Sequence, residues 1–248
     1  MFKQSFFLSL FISIFSLVNT YADSFDYASE PWWDLFWESS EGWGAPNARV
    51  ESLIEVIDGT KEELCIVDIG SGNGRNSILA LLHHFQNKTP LSDYKVYCID
   101  YSASALEGLH QLCLPDWLKL ETEKVDVNIL DEQSLPKADL VLIYGILEYV
   151  DEDRLFYTLD LASKALYEDG YLAVVSLVNG EGALEIEGEI TRPAEIYTLL
   201  LQSVKTLHFI DQPTVSLQKD CHDIGNGFPE DHLHYVYRTV MIKNMGEV

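Results

Sequence analysis

An acid followed by three glycines at alternate positions forms the run Asp-x-Gly-x-Gly-x-Gly at residues 68–74. The run lies between an apolar stretch, residues 64–67, and a helix-like stretch, residues 76–82. Glycine adopts positive φ without strain and lets a ligand approach the backbone closely. The first turn of a helix also presents free N–H groups to a ligand. This order of strand end, glycine turn and helix start predicts a site for a nucleotide-like cofactor.

The spacing of the glycines argues against two common nucleotide sites. A dinucleotide fingerprint, Gly-x-Gly-x-x-Gly/Ala, would place its third small residue where the chain has Arg75 or Ser77, depending on which glycine begins the count. A phosphate-binding P-loop would end in Gly-Lys-Ser/Thr, and the run has no such ending. An NAD-dependent oxidoreductase and a P-loop protein are therefore disfavoured.

Further strand-like runs must position this turn, and several of them also end in acids. Strands that alternate with helical segments predict an α/β fold with a mostly parallel sheet. The chain has 248 residues, of which 47% are hydrophobic, enough for one large core. In chain order the runs are 64–67, 95–100, 125–131, 139–150, the helix, glycine turn and strand of 166–175, and 234–242.

Taken in this order, over roughly residues 45–244, the runs resemble the class I S-adenosylmethionine-dependent methyltransferase family, of the small-molecule type. The resemblance implies a Rossmann-like sheet of seven mostly parallel strands, with helices on both faces and an antiparallel last strand beside the fifth. It also implies S-adenosylmethionine as cofactor and methyl transfer as the activity. The chain departs from the pattern at residues 147–149, Leu-Glu-Tyr, where many small-molecule members carry a Leu-Glu-His-like triplet.

The resemblance implies roles for residues at the ends of the predicted strands. Asp68 would orient the methionyl amine of the cofactor, and Asp100 would accept hydrogen bonds from both ribose hydroxyls. Tyr101 would cover the adenine ring, which Leu130 and Asp131 would frame. The implied cofactor-binding set is Asp68, Gly70, Ser71, Gly72, Gly74, Asp100, Tyr101, Leu130, Asp131, Tyr144 and Gly145.

The fourth run contains the candidate catalytic residues. Tyr144 and Gly145 would lie beneath the transferred methyl, and Glu148 and Tyr149 would be the nearest polar groups to the acceptor. The candidates are therefore Tyr144, Glu148 and Tyr149, although Glu148 also suits a favourable charge at a helix N-terminus. The Asn/Asp-Pro-Pro-Tyr motif of amino-methylating DNA and glutamine enzymes is absent here, which removes that substrate class.

Four of the five tryptophans lie between residues 32 and 43. Trp33, Phe36 and Trp37 have the spacing of one helical face. Such a face packs into a core, because aromatic side chains dominate burial, or forms a lid with aromatic rings around a flat or cationic substrate. Trp33, Trp37 and Trp43 are the candidate substrate-contacting residues.

The amino-terminal residues have the pattern of a secretory signal peptide. A basic start is followed by an uncharged apolar stretch at residues 5–18, and small residues precede Asp23. The stretch is short for a membrane span. We expect a signal peptide at 1–22, an aromatic lid segment at 23–48 and a class I methyltransferase domain at 49–248. Cleavage would give an exported or secreted protein without a stable membrane span; the alternatives are a membrane-anchored or a cytoplasmic protein.

The charge of the chain bears on its partners. A formal net charge of −24 repels phosphate backbones, so nucleic acid is a poor substrate class. His222, His232 and His234 do not repeat a metal-ligand spacing, and no Cys-x-x-Cys pair occurs, so no metal site is expected.

Three hypotheses about function follow, and the first is favoured. They are an S-adenosylmethionine-dependent methyltransferase acting on a small-molecule acceptor, a methyltransferase acting on a protein partner, and a non-catalytic binding module that keeps the fold. No pattern in the sequence specifies the acceptor or the oligomeric state.

Overall fold

The computed structural model describes residues 33, 34, 36, 37, 45–180, 191–220 and 232–243. The predicted signal peptide, Trp43 and His222 lie outside these residues, so the expectations for them stay predictions. No helix in the described part of the chain is long and apolar enough to cross a membrane.

Helices and strands alternate along most of the described chain. The helices are α1 (Ala48–Ile57), α2 (Ile78–His84), α3 (Ala103–His110), α4 (Glu152–Ala165) and α5 (Ala194–Ser203), with short 3₁₀ helices at Val127–Ile129 and Leu147–Tyr149. The strands are β1 (Glu63–Ile69), β2 (Asp93–Asp100), β3 (Leu118–Lys124), β4 (Ala138–Tyr144), β5 (Leu166–Val178), β6 (Leu207–Phe209), β7 (Thr214–Asp220) and β8 (His232–Lys243).

The strands form one sheet in the order β3-β2-β1-β4-β5-β8-β6, with β7 also paired to β8. Strands β1 to β5 are parallel to one another, and β8 is antiparallel to β5. The predicted Rossmann-like fold with an antiparallel last strand is confirmed. Its order reverses at β1 and β4, and ligands of open α/β sheets bind at the carboxyl ends of strands beside such a point.

The sheet has eight strands rather than the predicted seven. The additional strand arises because β6 and β7 are two pieces of one broken edge, both antiparallel to β8. The register shifts between the pairs Phe209↔Met241 and Thr214↔Arg238. Pro213 lies in the break and has no N–H to donate to the ladder.

Alternation along the buried strands supplies both faces of the sheet with a core. On one face, α1, α2 and α3 pack against side chains that include Ile66 and Leu142. On the other, α4 and α5 pack against side chains that include Val67 and Ile143. Asp68 and Tyr144 follow the first set in the alternation, so their side chains lie on the α1 face of the sheet.

The prediction of a third strand at residues 125–131 was wrong. The third strand is β3, and the predicted segment contains the 3₁₀ helix Val127–Ile129. Strand β3 lies at the sheet edge with an alternating half-exposed pattern, so its polar sequence gives a weak strand signal. Asp126 caps the 3₁₀ helix by accepting from the N–H of Asn128 at 2.8 Å, which turns the chain out of the sheet.

Truncation of a core leucine tests this two-faced core. Leu142 is 0% exposed, whereas Leu199 on α5 is 62% exposed. We expect Leu142→Ala to lower the free energy of unfolding by about 2–5 kcal/mol, because it leaves a cavity. Leu199→Ala, the matched control, should change it by less than about 0.5 kcal/mol. Urea denaturation measures both, and equal effects would contradict the described packing.

Candidate functional site

A cavity of about 250 Å³ opens at the carboxyl ends of β1, β2 and β4. This is the expected place for a ligand in an open α/β sheet. Its walls come from the glycine turn after β1, the residues after β2, β3 and β4, and two amino-terminal tryptophans. The lining residues are Trp33, Trp37, Asp68, Ile69, Gly70, Ser71, Gly72, Asn73, Arg75, Asn76, Ile99, Asp100, Tyr101, Val125, Asp126, Val127, Asn128, Tyr144, Gly145, Ile146, Tyr149 and Asp151.

The glycine turn brings backbone rather than side chains against the cavity. Gly72 has φ +52°, a left-handed conformation that favours glycine, and a Cβ at this position would clash with the ring of Trp37. The N–H groups of Gly70 and Ser71 donate to Ile99 O at 2.8 and 3.0 Å, which ties the turn to β2. Gly74 faces Leu109 rather than the cavity, so its place is in the packing of α3.

Asp100 ends β2 with its carboxylate beside the glycine turn. The N–H of Gly72 donates to Oδ2 at 2.8 Å, and the N–H of Ser102 donates to Oδ1 at 2.9 Å. Burial raises the pKa of this carboxyl, while backbone N–H donors from Ser102, Gly72 and Tyr101 partly offset that rise. Each oxygen has capacity for a second hydrogen bond, so the group can accept from a pair of hydroxyls.

Asp68 ends β1 and is 2% exposed. Its Oδ2 accepts a hydrogen bond of 2.6 Å from Ser77 Oγ. Burial raises its pKa to about 7; the Ser77 hydrogen bond opposes the rise and the nearby charge of Asp100 adds to it. Beside it, Ser71 Oγ is buried and has no hydrogen-bond partner among the described residues. Two polar groups that line the cavity are thus available to a ligand with donors.

The residues after β3 differ from the predicted pair. Leu130 is in the core, and the exposed Asp131 accepts from the N–H groups of Gln133 and Ser134 outside the cavity wall. Because β3 ends at Lys124, residues 125–128 reach the cavity instead. Asp126 is therefore the acid that follows the third strand at this site, and the expectation for Leu130 and Asp131 is corrected accordingly.

The residues after β4 divide between the cavity and the core. Tyr144, Gly145 and Tyr149 line the cavity, and their predicted roles toward the cofactor and the acceptor stay predictions. Glu148 does not: it is 2% exposed, lies outside the wall, and accepts from Ser176 Oγ at 2.9 Å. Successive residues of a 3₁₀ helix point about 120° apart, so Glu148 turns into the protein where Tyr149 turns out. Its predicted contact with the acceptor is thus contradicted by its position.

Arg192 holds this 3₁₀ turn through hydrogen bonds to its backbone. No pattern in the sequence predicts this contact. Its guanidinium donates to Leu147 O at 2.9 Å and to Val150 O at 2.7 Å. An arginine directly before a proline gives no signal of this role; only the fold brings it to β4. The turn that carries Tyr149 is consequently fixed by a buried cation.

The amino-terminal aromatic residues complete the wall. The ring of Trp33 lies 5.6 Å from that of Tyr149, edge to face, and 6.2 Å from that of Trp37. Phe36 is buried, so the predicted helical face divides into one core residue and two wall residues.

Asp34 fastens this segment to the start of α3. Its Oδ1 accepts from Ser102 Oγ at 2.6 Å and from the N–H of Ser104 at 3.1 Å. Partial burial would raise the pKa of Asp34, but the bonds from Ser102 and Ser104 outweigh it and lower the pKa. No pattern in the sequence predicts this anchor, because the two serines lie far from Asp34 along the chain.

Metal binding has no support among the described residues, in which no three His, Cys, Asp or Glu side chains are grouped to hold an ion. The side chains of His222 and His232 are not among them, so the expectation of no metal stays a prediction.

Comparison with known proteins adds a family match. Residues 67–172, which run from β1 into β5, match the family model described as a methyltransferase domain. No curated protein sequence matches the chain.

Solved structures share the fold at low sequence identity. TehB from Haemophilus influenzae has a TM-score of 0.61 and 14% identity over 80% of this chain and 62% of its own, so this chain spans less than two thirds of it. A SAM-dependent methyltransferase from Archaeoglobus fulgidus has a TM-score of 0.52 and 16% identity. The match covers 79% of this chain and 92% of that protein. The 1,6-didemethyltoxoflavin-N1-methyltransferase of Burkholderia thailandensis has a TM-score of 0.50 and 14% identity. The match covers 79% of this chain and 77% of that protein, whose structure contains bound 1,6-didemethyltoxoflavin and S-adenosylhomocysteine.

The raised pKa of Asp68 predicts a pH-dependent stability. The folded carboxyl holds its proton up to about pH 7, whereas the unfolded one releases it near 3.8. Unfolding therefore releases a proton between these values, and stability falls as the pH rises through this window. We expect the free energy of unfolding of Asp68→Asn, relative to that of wild type, to rise by on the order of 4 kcal/mol between pH 4 and pH 7. Denaturation with urea across this range measures the difference.

Asp131→Asn is the control for this experiment. The carboxyl of Asp131 is exposed, and its pKa is lowered by the N–H of Gln133 and the side chain of Ser134. The free energy of unfolding of Asp131→Asn, relative to that of wild type, should instead fall as the pH rises through the region near 4. Parallel stability curves for wild type and Asp68→Asn would contradict the buried, protonated carboxyl.

Proposed function

We propose that this chain is a class I S-adenosylmethionine-dependent methyltransferase, that S-adenosylmethionine is its cofactor, and that it transfers a methyl group to a small-molecule acceptor. The observation that carries the proposal is the grouping of Asp68, Gly72 and Asp100 around one cavity at the carboxyl ends of β1 and β2. A family match at 67–172 covers all three residues.

The residues of the cavity suit the cofactor chemically. The carboxylate of Asp100 can accept from the two ribose hydroxyls, and Asp68 can accept from the methionyl ammonium. The absence of a side chain at Gly72 lets the ring of Trp37 pack against the glycine turn, which places an aromatic ring in the cavity wall. Asp126 and Tyr101 stand where the adenine would lie, between the ends of β2 and β3.

Methyl transfer requires mainly that the acceptor be oriented toward the methyl group of the cofactor. When bound, S-adenosylmethionine supplies an electrophilic methyl on a sulfonium, which passes to a lone pair of the acceptor as S-adenosylhomocysteine is released. Tyr144 and Gly145 line the wall at the end of β4 and would set the direction of attack. Tyr149, fixed through its turn by Arg192, would bound the acceptor with Trp33.

A small acceptor is supported by the shape and charge of the site. Trp33, Trp37 and Tyr149 give the cavity an aromatic wall, which is typical of sites for small molecules. The net charge of −24 opposes a nucleic-acid acceptor. The related structure from Burkholderia thailandensis holds a small molecule as its substrate, which favours this class over a protein acceptor.

Transfer of a labelled methyl group tests the proposal. The purified full-length chain is incubated with methyl-labelled S-adenosylmethionine and either a small-molecule extract, a protein fraction or nucleic acid. Label in the small-molecule fraction alone is expected. Label only in protein would favour the protein-methylating alternative, and no transfer by a chain that binds cofactor would favour the non-catalytic module.

A substitution at Gly72 tests the cofactor site directly. Gly72→Ala places a Cβ at φ +52° against Trp37, so we expect affinity for S-adenosylhomocysteine to fall at least tenfold by titration calorimetry. Gly108→Ala on α3 is the matched control, because a Cβ there meets nothing within 4 Å. The control should bind like wild type. Equal affinities for all three proteins would place the cofactor elsewhere.

A further inference from the structure

Basic side chains lie near Tyr144, a residue of the cavity wall, in this acidic chain. The chain has a net charge of −24 and five arginines, Arg49, Arg75, Arg154, Arg192 and Arg238. Arg154 and Arg192 are used structurally: Arg154 donates to Leu130 O, and Arg192 donates to carbonyls of the turn after β4. The other three gather around Tyr144.

The sheet register sets the position of Arg238. Tyr144 pairs with Val175, and Val175 pairs with Arg238, so the three lie in one row across β4, β5 and β8. Paired residues of neighbouring strands point to the same face, and strands are about 4.8 Å apart. Arg238 therefore lies two strands from Tyr144 on the α1 face, within reach of a small molecule that touches both.

Arg49 approaches the same place from α1. It is the second residue of that helix and forms an ion pair with Asp211. Asp211 follows Ile210, whose N–H donates to Val240 O at 3.1 Å, and precedes Thr214, which pairs with Arg238. The ion pair thus holds Arg49 alongside β8, while Arg75 lies in the cavity wall with Tyr144.

Arg238 is half-buried without a carboxylate partner. Its guanidinium donates to Ser216 Oγ and to Gln218 Oε1, the latter at 2.9 Å, and both are neutral acceptors. Among the residues that the structure describes, no Asp or Glu oxygen lies within ion-pair distance of it. This partial burial lowers the pKa of Arg238. A desolvated cation of this kind favours an anionic ligand.

Tyr144 provides a neutral donor between these cations and the cavity. Burial raises the pKa of its hydroxyl, and the positive charges of Arg49, Arg238 and Arg75 oppose the rise without cancelling it. The phenol therefore stays protonated at neutral pH and can donate a hydrogen bond to an oxygen of a ligand.

We propose that the methyl acceptor carries an anionic group, a carboxylate or a phosphate, which Arg238 binds together with Arg49 and the hydroxyl of Tyr144. The inference rests on the proposed function, since it names the class of acceptor for the same site. Arg238 is then a specificity-determining residue that orients the acceptor across the end of β4. An uncharged atom of the acceptor faces the transferred methyl.

Binding of matched aromatic probes tests the charge preference. The full-length chain is saturated with S-adenosylhomocysteine and titrated with benzoate, phenyl phosphate, neutral benzamide and cationic benzylamine. We expect one of the anions to bind at least tenfold more tightly than benzamide and benzylamine. Benzoate and phenyl phosphate distinguish a carboxylate from a phosphate. Preferential binding of benzylamine or benzamide, or no binding of either anion, would overturn the proposal.

Substitutions of Arg238 connect that preference to the site. Arg238→Gln keeps hydrogen-bond donors but removes the charge, so binding of the preferred anion should weaken at least tenfold. Arg238→Lys should restore part of it. Lys119→Gln is the charge-matched control, because Lys119 is exposed and pairs with Glu63 at the amino end of β1. Equal losses in Arg238→Gln and Lys119→Gln would show a general charge effect and contradict a site.

Affinity for S-adenosylhomocysteine separates the two proposals. It is measured first, and it should be the same in wild type, Arg238→Gln and Lys119→Gln, because Arg238 lies outside the cofactor wall. If the cofactor product binds and the anions do not, the acceptor class is wrong and the proposed function stands. If the cofactor product itself does not bind, the proposed function fails.

Discussion

The hydrogen bond from the N–H of Gly72 to Oδ2 of Asp100 joins the turn after β1 to the end of β2, and the rest of the site depends on it. Gly72 makes this bond in a left-handed conformation, and it carries no side chain on the side that faces Trp37. Trp37 occupies part of that side, and Asp34 fixes the tryptophan segment to α3. A single backbone conformation thus determines where a carboxylate, an open backbone and an aromatic wall meet.

The sequence was sufficient for the parts of the fold that follow from alternation and glycine spacing. Buried strands such as β1 and β4, and the turn at 68–74, have short-range patterns that specify them. The edge strand β3 was missed because its exposed side is charged. Residues 125–131 alternate apolar and polar side chains over much of their length, as a strand does, yet they contain the 3₁₀ helix Val127–Ile129. That error led to the prediction of adenine contacts at Leu130 and Asp131, whereas residues 125–128 line the cavity.

Site residues set by long-range contacts had no local signal at all. Arg192 contacts the turn after β4 although it lies 45 residues from Leu147 along the chain. Glu148 matched a family pattern, yet the 3₁₀ geometry turns it toward Ser176. The basic cluster around Tyr144 exists only because β8 returns antiparallel beside β5 and places Arg238 in the same row. Acids therefore line the cavity beside the glycine turn, whereas Arg49 and Arg238 lie outside its wall, near Tyr144.

A crystal structure of the full-length chain with S-adenosylhomocysteine tests the central claim most directly. The account predicts the ribose hydroxyls on the carboxylate of Asp100, backbone contact at Gly72 and the adenine against residues 125–128. It also predicts that Tyr144 and Gly145 lie nearest the sulfur. Adenine density against Asp131, or a ligand bound away from the glycine turn, would contradict the account.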